Sequence, residues 1–138
     1  MSSILQTQTT SFKKELYQAI HDLATDTIYI ALYTAAADLN QATTSSSSAN
    51  DVVASGYTAG GQVMTGVSIS SDGYTAYVNW DNVSWTTAVT ARCALIYNVT
   101  QGNKSIAVLD FGSDKTSTTT FLITMPANTA TSALIRSS

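Results

Sequence analysis

The strongest constraint on the fold is the two-residue alternation of apolar and polar side chains, which recurs in short runs along most of the chain. Tyr74, Ala76, Val78 and Trp80 fall on one face of one such run. Turn residues separate the runs, as at Gly73. The pattern predicts a mainly β, antiparallel single domain, either a β-sandwich or a jelly-roll-like fold, with a small barrel as the alternative. The strands predicted after residue 52 are 62–65, 67–70, 74–80, 91–97, 105–111, 119–125 and 132–136.

An earlier run, residues 27–34, is apolar or aromatic on both faces. Ile28, Ile30 and Leu32 alternate there with Tyr29 and Tyr33. A strand with no polar face is typical of a position covered on two sides. We therefore predict that this run is a central strand.

One amphipathic helix is predicted over residues 11–24, with Thr10 or Ser11 as its N-cap. Its apolar stripe has a spacing of three to four residues and consists of Phe12, Leu16, Ile20 and Leu23. His21 lies beside this stripe, and we expect it at the surface or partly covered.

The chain has 138 residues, which predicts one domain. We assign residues 1–10 to an N-terminal arm and residues 11–138 to the β-rich domain. The serine-rich segment 41–50 is predicted to be a loop, long enough to be mobile or to reach a neighbouring subunit.

Charged residues make up 11% of the chain and the net charge is −3. Six scattered basic residues cannot form the positive surface that nucleic acid requires, so no direct nucleic-acid partner is expected. No apolar run has the length of a membrane span, and no signal peptide is recognised at the start. The weakly charged exterior suggests instead that other protein covers part of the surface.

The sequence selects no catalytic group. Cys93 and His21 are the only residues of their types and lie far apart in the chain, and nothing pairs two of the nine carboxylates. One cysteine and one histidine exclude a zinc site, and no EF-hand spacing is present. We expect no enzyme activity, no metal and no cofactor.

The segment 56–62 has the sequence GYTAGGQ. A phosphate-binding loop would follow a strand, open a helix and carry a lysine or a G-x-G-x-x-G spacing. None of these is present here, so the glycines are interpreted as a bulge or a tight connection within a β-sheet.

An aromatic cluster of Tyr74, Tyr77, Trp80 and Trp85 is the best candidate for a binding surface. Exposed Trp and Tyr side chains stack on sugar rings or anchor protein interfaces. The alternative is that both tryptophans pack in the core.

Several segments together resemble a family of small virion structural proteins of tailed bacteriophages. They are DLATDT at 22–27, ALYT at 31–34, GYTAGG at 56–61, ARCALIYN at 91–98 and LIR at 134–136. The resemblance covers most of the chain and implies a virion component made in the host bacterial cytoplasm.

The resemblance implies copies of the chain itself and other virion proteins, such as the major capsid protein, as partners. A head decoration or cement role is the preferred interpretation. A neck or tail accessory protein and a carbohydrate-binding module for host glycans are the alternatives. Under this interpretation Tyr57, Trp80 and Trp85 lie near subunit contacts, and residues 1–10 and 43–50 are arms that order on assembly.

Overall fold

The computed structural model describes residues 5–137, which form ten strands and one helix. In chain order these are β1 (Leu5–Gln8), α1 (Thr10–Tyr17), β2 (Ile28–Tyr33), β3 (Gln62–Val63), β4 (Ser68–Asp72), β5 (Thr75–Asn79), β6 (Val83–Trp85), β7 (Val89–Asn98), β8 (Lys104–Ser117), β9 (Phe121–Ile123) and β10 (Ile135–Ser137). The domain is mainly β and sandwich-like, and every strand pairing is antiparallel, as predicted.

The largest sheet has five strands in the order β1-β8-β7-β2-β3. Strand β2 pairs with β7 on one side and β3 on the other, which confirms the prediction of a central strand. Its alternating side chains divide between two hydrophobic clusters. Ile30 and Leu32 belong to the main core, and Ala31 and Tyr33 belong to a second cluster on the opposite face.

The main core lies between this sheet and a second layer made of two smaller sheets. One has the order β10-β5-β4, and the other pairs β6 with β9. Trp85, Phe121, Ile123 and Ile135 from this layer pack against the same cluster as Ile30. Two layers that share one apolar core define the sandwich-like architecture.

The opposite face of the five-stranded sheet is covered by the long connection between β2 and β3. Its serine-rich part is tied to the chain at Ser46, whose N–H donates to the Asn103 carbonyl at 2.9 Å. The Tyr33 hydroxyl donates to the Ser47 carbonyl at 2.6 Å. These bonds attach the loop to its own chain, and the ordering of residues 43–50 on assembly stays a prediction.

Residues 5–8 fall within the predicted N-terminal arm, and in the structure they form edge strand β1. It pairs with β8, in a register that places Gln8 opposite Ala107. The strand is short and mostly polar, and its pairing partner is about a hundred residues away, so local sequence gave no signal for it. The rest of the predicted arm, residues 1–4, lies outside the described residues.

Helix α1 is much shorter than the predicted 11–24. Thr9 is its N-cap and accepts the Phe12 N–H at 3.3 Å. The helix ends because Ala19 takes a left-handed conformation with φ of 58°. The Ile20 N–H then donates to the Glu15 carbonyl, and the Ala19 N–H to Leu16, which is the Schellman pattern of helix termination.

The GYTAGGQ segment is a tight connection, as predicted. Gly61 has φ of 84°, and a Cβ placed there would lie 1.8 Å from the Ile30 carbonyl oxygen. The Asp51 carboxylate accepts both the Gly60 N–H at 2.9 Å and the Tyr57 hydroxyl at 2.8 Å. The glycines therefore serve a close approach of backbone to strand β2.

Candidate interaction surfaces

The three residues predicted to lie near subunit contacts are buried inside the domain. Tyr57, Trp80 and Trp85 are 8%, 5% and 5% exposed. The Tyr57 hydroxyl accepts the Leu32 N–H at 2.8 Å, and burial raises the pKa of this phenol well above its usual range. Trp85 packs between Tyr57 and Phe121, with ring centroids 5.9 and 6.4 Å away. Core packing accounts for all three, which corrects the interface prediction.

The wider aromatic cluster is divided by the fold. Tyr77 is half-buried on strand β5, whereas Tyr74 is fully exposed at the turn between β4 and β5. The four aromatic side chains of the predicted cluster therefore do not form one surface. Only Tyr74 is presented to solvent for a contact.

Cys93 is a buried thiol, and burial raises its pKa to about 11. It stays protonated at neutral pH and is not an activated nucleophile. Within residues 5–137, no group of three or more His, Cys, Asp or Glu side chains is placed to hold a metal ion. No helix in this part of the chain is long and apolar enough to cross a membrane.

His21 was expected at or near the surface, but its side chain is buried in a polar network. Its Nε2 lies 2.9 Å from Glu15 Oε1, and its Nδ1 lies 3.0 Å from Asn98 Nδ2. The same Asn98 amide donates to Asp26 at 2.8 Å. The network joins the segment after α1 to the end of β7.

The network shifts the titration of Asp26. Partial burial acts to raise the pKa of this carboxyl group. Hydrogen bonds from Asn98, the backbone N–H of Asp22 and Gln101, with the nearby His21, outweigh burial and hold the pKa below its usual range.

Strands β4 and β5 form a hairpin at one side of the β10-β5-β4 sheet. The two strands pair from Ser68–Asn79 to Asp72–Thr75, which leaves Gly73 and Tyr74 as a two-residue turn. Gly73 has φ of 61°, the left-handed conformation that such turns require. Strand β4 is the edge of its sheet, and four of its five residues are exposed.

The base of the hairpin is held in place. Asn79 donates through Nδ2 to the Pro126 carbonyl at 2.7 Å and accepts the Leu134 N–H at 3.3 Å. Gly66 lies against Asp81, whose carboxylate occupies the space that a Cβ at position 66 would need. The structure thus presents an exposed tip on a fixed base.

A groove of about 550 Å³ lies between β1, α1 and β10. Gln8 bridges the two strands, because its side-chain amide donates to the Arg136 carbonyl at 2.9 Å. The Gln6 amide donates to the carbonyl of Ala133, which precedes β10, at 3.1 Å. Strand β1 is the edge of the five-stranded sheet and β10 is the edge of the three-stranded sheet. The groove therefore separates two unpaired strand edges.

The groove is positively charged and partly apolar. Lys13 and Arg136 line it, and no acidic side chain lines it among the described residues. Leu16 and Tyr17 also line it, at 39% and 94% exposure. No local pattern predicts this site, because its residues come from two segments, 6–17 and 134–137, that are far apart in sequence.

No protein family, curated protein or solved structure matches this chain.

Proposed function

We propose that this chain is a structural protein of a tailed-bacteriophage virion that decorates the outer head lattice and stabilises it. The observation that carries the proposal is the exposed β4–β5 hairpin on its fixed base. An unpaired strand edge with exposed Ile69 and Tyr74 side chains is suited to pairing with another chain. The segments that resemble phage virion proteins support the same proposal.

The mechanism is mechanical. Each copy bridges neighbouring capsid subunits, so that rupture of the head must break additional contacts. Individual contacts of this kind are weak, but symmetric repetition multiplies them into high avidity. The extensive packing of the five-stranded sheet fits a module that transmits load without unfolding.

A neck or tail accessory role belongs to the same class, and copy number separates it from head decoration. The glycan-binding alternative relied on exposed tryptophan and tyrosine side chains, and of the predicted cluster only Tyr74 is fully exposed. Trp80 and Trp85 are buried, so neither presents a ring face for a sugar to stack on.

Quantitative mass spectrometry of purified virions from the source phage tests the proposal. A copy number comparable to that of the major capsid protein supports head decoration. A small fixed number, matching the symmetry of a portal or tail ring, moves the protein to the neck or tail. Absence from the virion overturns the structural role.

Heating the particles tests the mechanism. Virions that lack the protein are expected to release DNA at a lower temperature than complete virions, and adding purified protein should restore the difference. A Tyr74→Ser variant should restore it less well than Val53→Ser, which removes an equally exposed apolar side chain away from the hairpin. Equal release temperatures with and without the protein would contradict a cementing role.

A further inference from the structure

We infer that the hairpin tip of one copy docks in the groove between β1, α1 and β10 of the next copy. This inference rests on the proposed assembly role and names the partner of the hairpin as a second copy of the chain. The contact is heterologous, because two different surfaces meet.

The tip and the groove are complementary in charge. Asp72 and Tyr74 flank Gly73 at the tip, and both side chains are exposed. The groove offers Lys13 and Arg136. A carboxylate that enters this groove gains a favourable interaction with its cations.

The apolar parts also correspond. The tip carries the fully exposed Tyr74 ring, and the groove carries Leu16 and Tyr17 on the last turn of α1. A volume of 550 Å³ is within the range of pockets that enclose several side chains. Aromatic side chains in such pockets are the usual anchors of protein interfaces.

The groove also offers free backbone groups. The Thr9 N–H donates to the Ile106 carbonyl at 2.9 Å, and bonding residues alternate along an antiparallel strand. The peptide groups of Gln6 and Gln8 therefore point away from β8, at the open edge of β1. They can pair with the unpaired edge of an incoming β4 strand.

The tip of one copy does not occupy the groove of the same copy, because Tyr74 is fully exposed. Strand β10 beside the groove and strand β4 of the hairpin are opposite edges of one sheet, with β5 between them. Tyr74 is fully exposed in its own copy, so the groove of that copy is left for the tip of a second molecule. Repeating a heterologous contact generates a ring or an extended array, which is the geometry a repeating lattice needs.

Three proteins test the inference by sedimentation analysis up to millimolar concentration. They are the unchanged chain, a tip variant with Asp72→Lys and Tyr74→Ser, and a groove variant with Lys13→Glu and Arg136→Glu. The unchanged chain should associate with increasing concentration, and less so at high salt. Each variant should lose at least about tenfold in association constant. A control with Val53→Ser and Asp114→Lys, both exposed elsewhere, should associate normally.

Mixing the two variants gives the decisive result. Each keeps one functional surface, so the mixture should form a one-to-one dimer that does not grow further. Circular dichroism melting first establishes that both variants are folded.

Three outcomes would overturn the inference: a monomeric unchanged chain at every concentration, association that survives the groove substitutions, or a mixture that stays monomeric. Association lost only in the tip variant would indicate pairing of β4 with β4 instead. None of these outcomes depends on virions, so this failure is distinguishable from absence of the protein in the particle.

Discussion

Strands β7 and β4 are both regular β-structure, but they are stabilised in different ways. Eight of the ten residues of β7 are buried, and it pairs with β8 and β2 on its two sides. Four of the five residues of β4 are exposed, and β5 is its only neighbour. We call the five-stranded sheet and the layers packed on it the body of the domain. The body is stabilised by its own hydrophobic core, whereas the hairpin has an unpaired strand edge.

We therefore expect the residues that stabilise the fold to differ from the residues that take part in assembly. Substitutions in the body should change the free energy of unfolding, because they remove packing or add steric overlap. Substitutions at the hairpin tip should leave that free energy nearly unchanged and act on association. Paired substitutions, one in the body and one at an exposed site, distinguish the two roles.

A single added methyl group gives the sharpest contrast. Gly61→Ala should destabilise the chain by more than about 4 kcal/mol, because its Cβ would overlap the Ile30 carbonyl. Gly73→Ala at the hairpin tip also has a positive φ, but its Cβ would meet open space. It should cost only about 1 kcal/mol, measured for both by urea unfolding. Similar losses of stability at the two sites would show that the close contact at Gly61 does not constrain the fold more than the open turn at Gly73.

Two aromatic side chains provide a second comparison between the core and the hairpin tip. Trp85→Ala should lower the free energy of unfolding by about 3–5 kcal/mol, because it leaves a cavity between Tyr57 and Phe121. Tyr74→Ala should change it by less than about 0.5 kcal/mol, since the ring is fully exposed. Chemical denaturation of both variants measures the two values. A mild Trp85→Ala variant would indicate that this side chain is not in the core.

The buried polar network gives an intermediate effect. Asn98→Ala removes the amide between His21 and Asp26 and should cost about 1–3 kcal/mol. Asn128→Ala is the matched control: its exposed amide bonds Ser68 at 3.1 Å, and its loss should cost about 0.5 kcal/mol or less. Equal costs at the two sites would mean that burial of the network adds nothing.

Asp26 adds a pH dependence. Its pKa is lower in the folded chain than in the unfolded chain, so its contribution to stability is present above about pH 4 and is lost as pH falls through the folded pKa. In Asn98→Ala the loss on acidification should be smaller, because one bond that lowers the pKa is gone. Unfolding curves recorded between about pH 2 and about pH 6, a range that includes the carboxyl pKa values, measure this loss of stability. An unchanged acid slope would show that Asn98 does not stabilise the carboxylate.

One substitution should increase the stability of the chain by a small amount. Ala19→Gly should stabilise the chain by up to about 1 kcal/mol, because Ala19 holds the left-handed position that ends α1, where glycine has no steric cost. Lys14→Gly, inside the same helix, should instead cost about 1 kcal/mol and serves as the control. A loss of stability in Ala19→Gly would show that this position is not strained.

Much of the fold follows from the sequence. The alternation of Ile28, Ile30 and Leu32 with aromatic residues predicted a doubly covered strand, because side-chain period and burial are directly related in β-structure. Strands β1 and β6 were missed, since each has at most four residues and depends on a distant partner. The helix was predicted too long, because Ile20 and Leu23 continue its spacing beyond the point where Ala19 ends it.

The candidate surfaces were less predictable. Trp80 and Trp85 were selected as an interface because large aromatics anchor contacts, but the same property favours burial in a core. The hairpin was predicted as two strands, but its exposure arises because β4 is the edge strand of its sheet. The groove brings Gln6 and Arg136 together, and no local pattern contains that information.

The hydrogen bonds across the groove also affect folding kinetics. Gln6 bonds Ala133 across 127 positions, and Gln8 bonds Arg136 across 128. Contacts this distant in sequence close slowly and late, because the intervening chain must first be ordered. A growing polypeptide on the ribosome therefore has no groove until residue 136 has been made. Under the docking scheme inferred above, unfinished chains cannot accept a neighbour, so premature association is avoided by the order of synthesis.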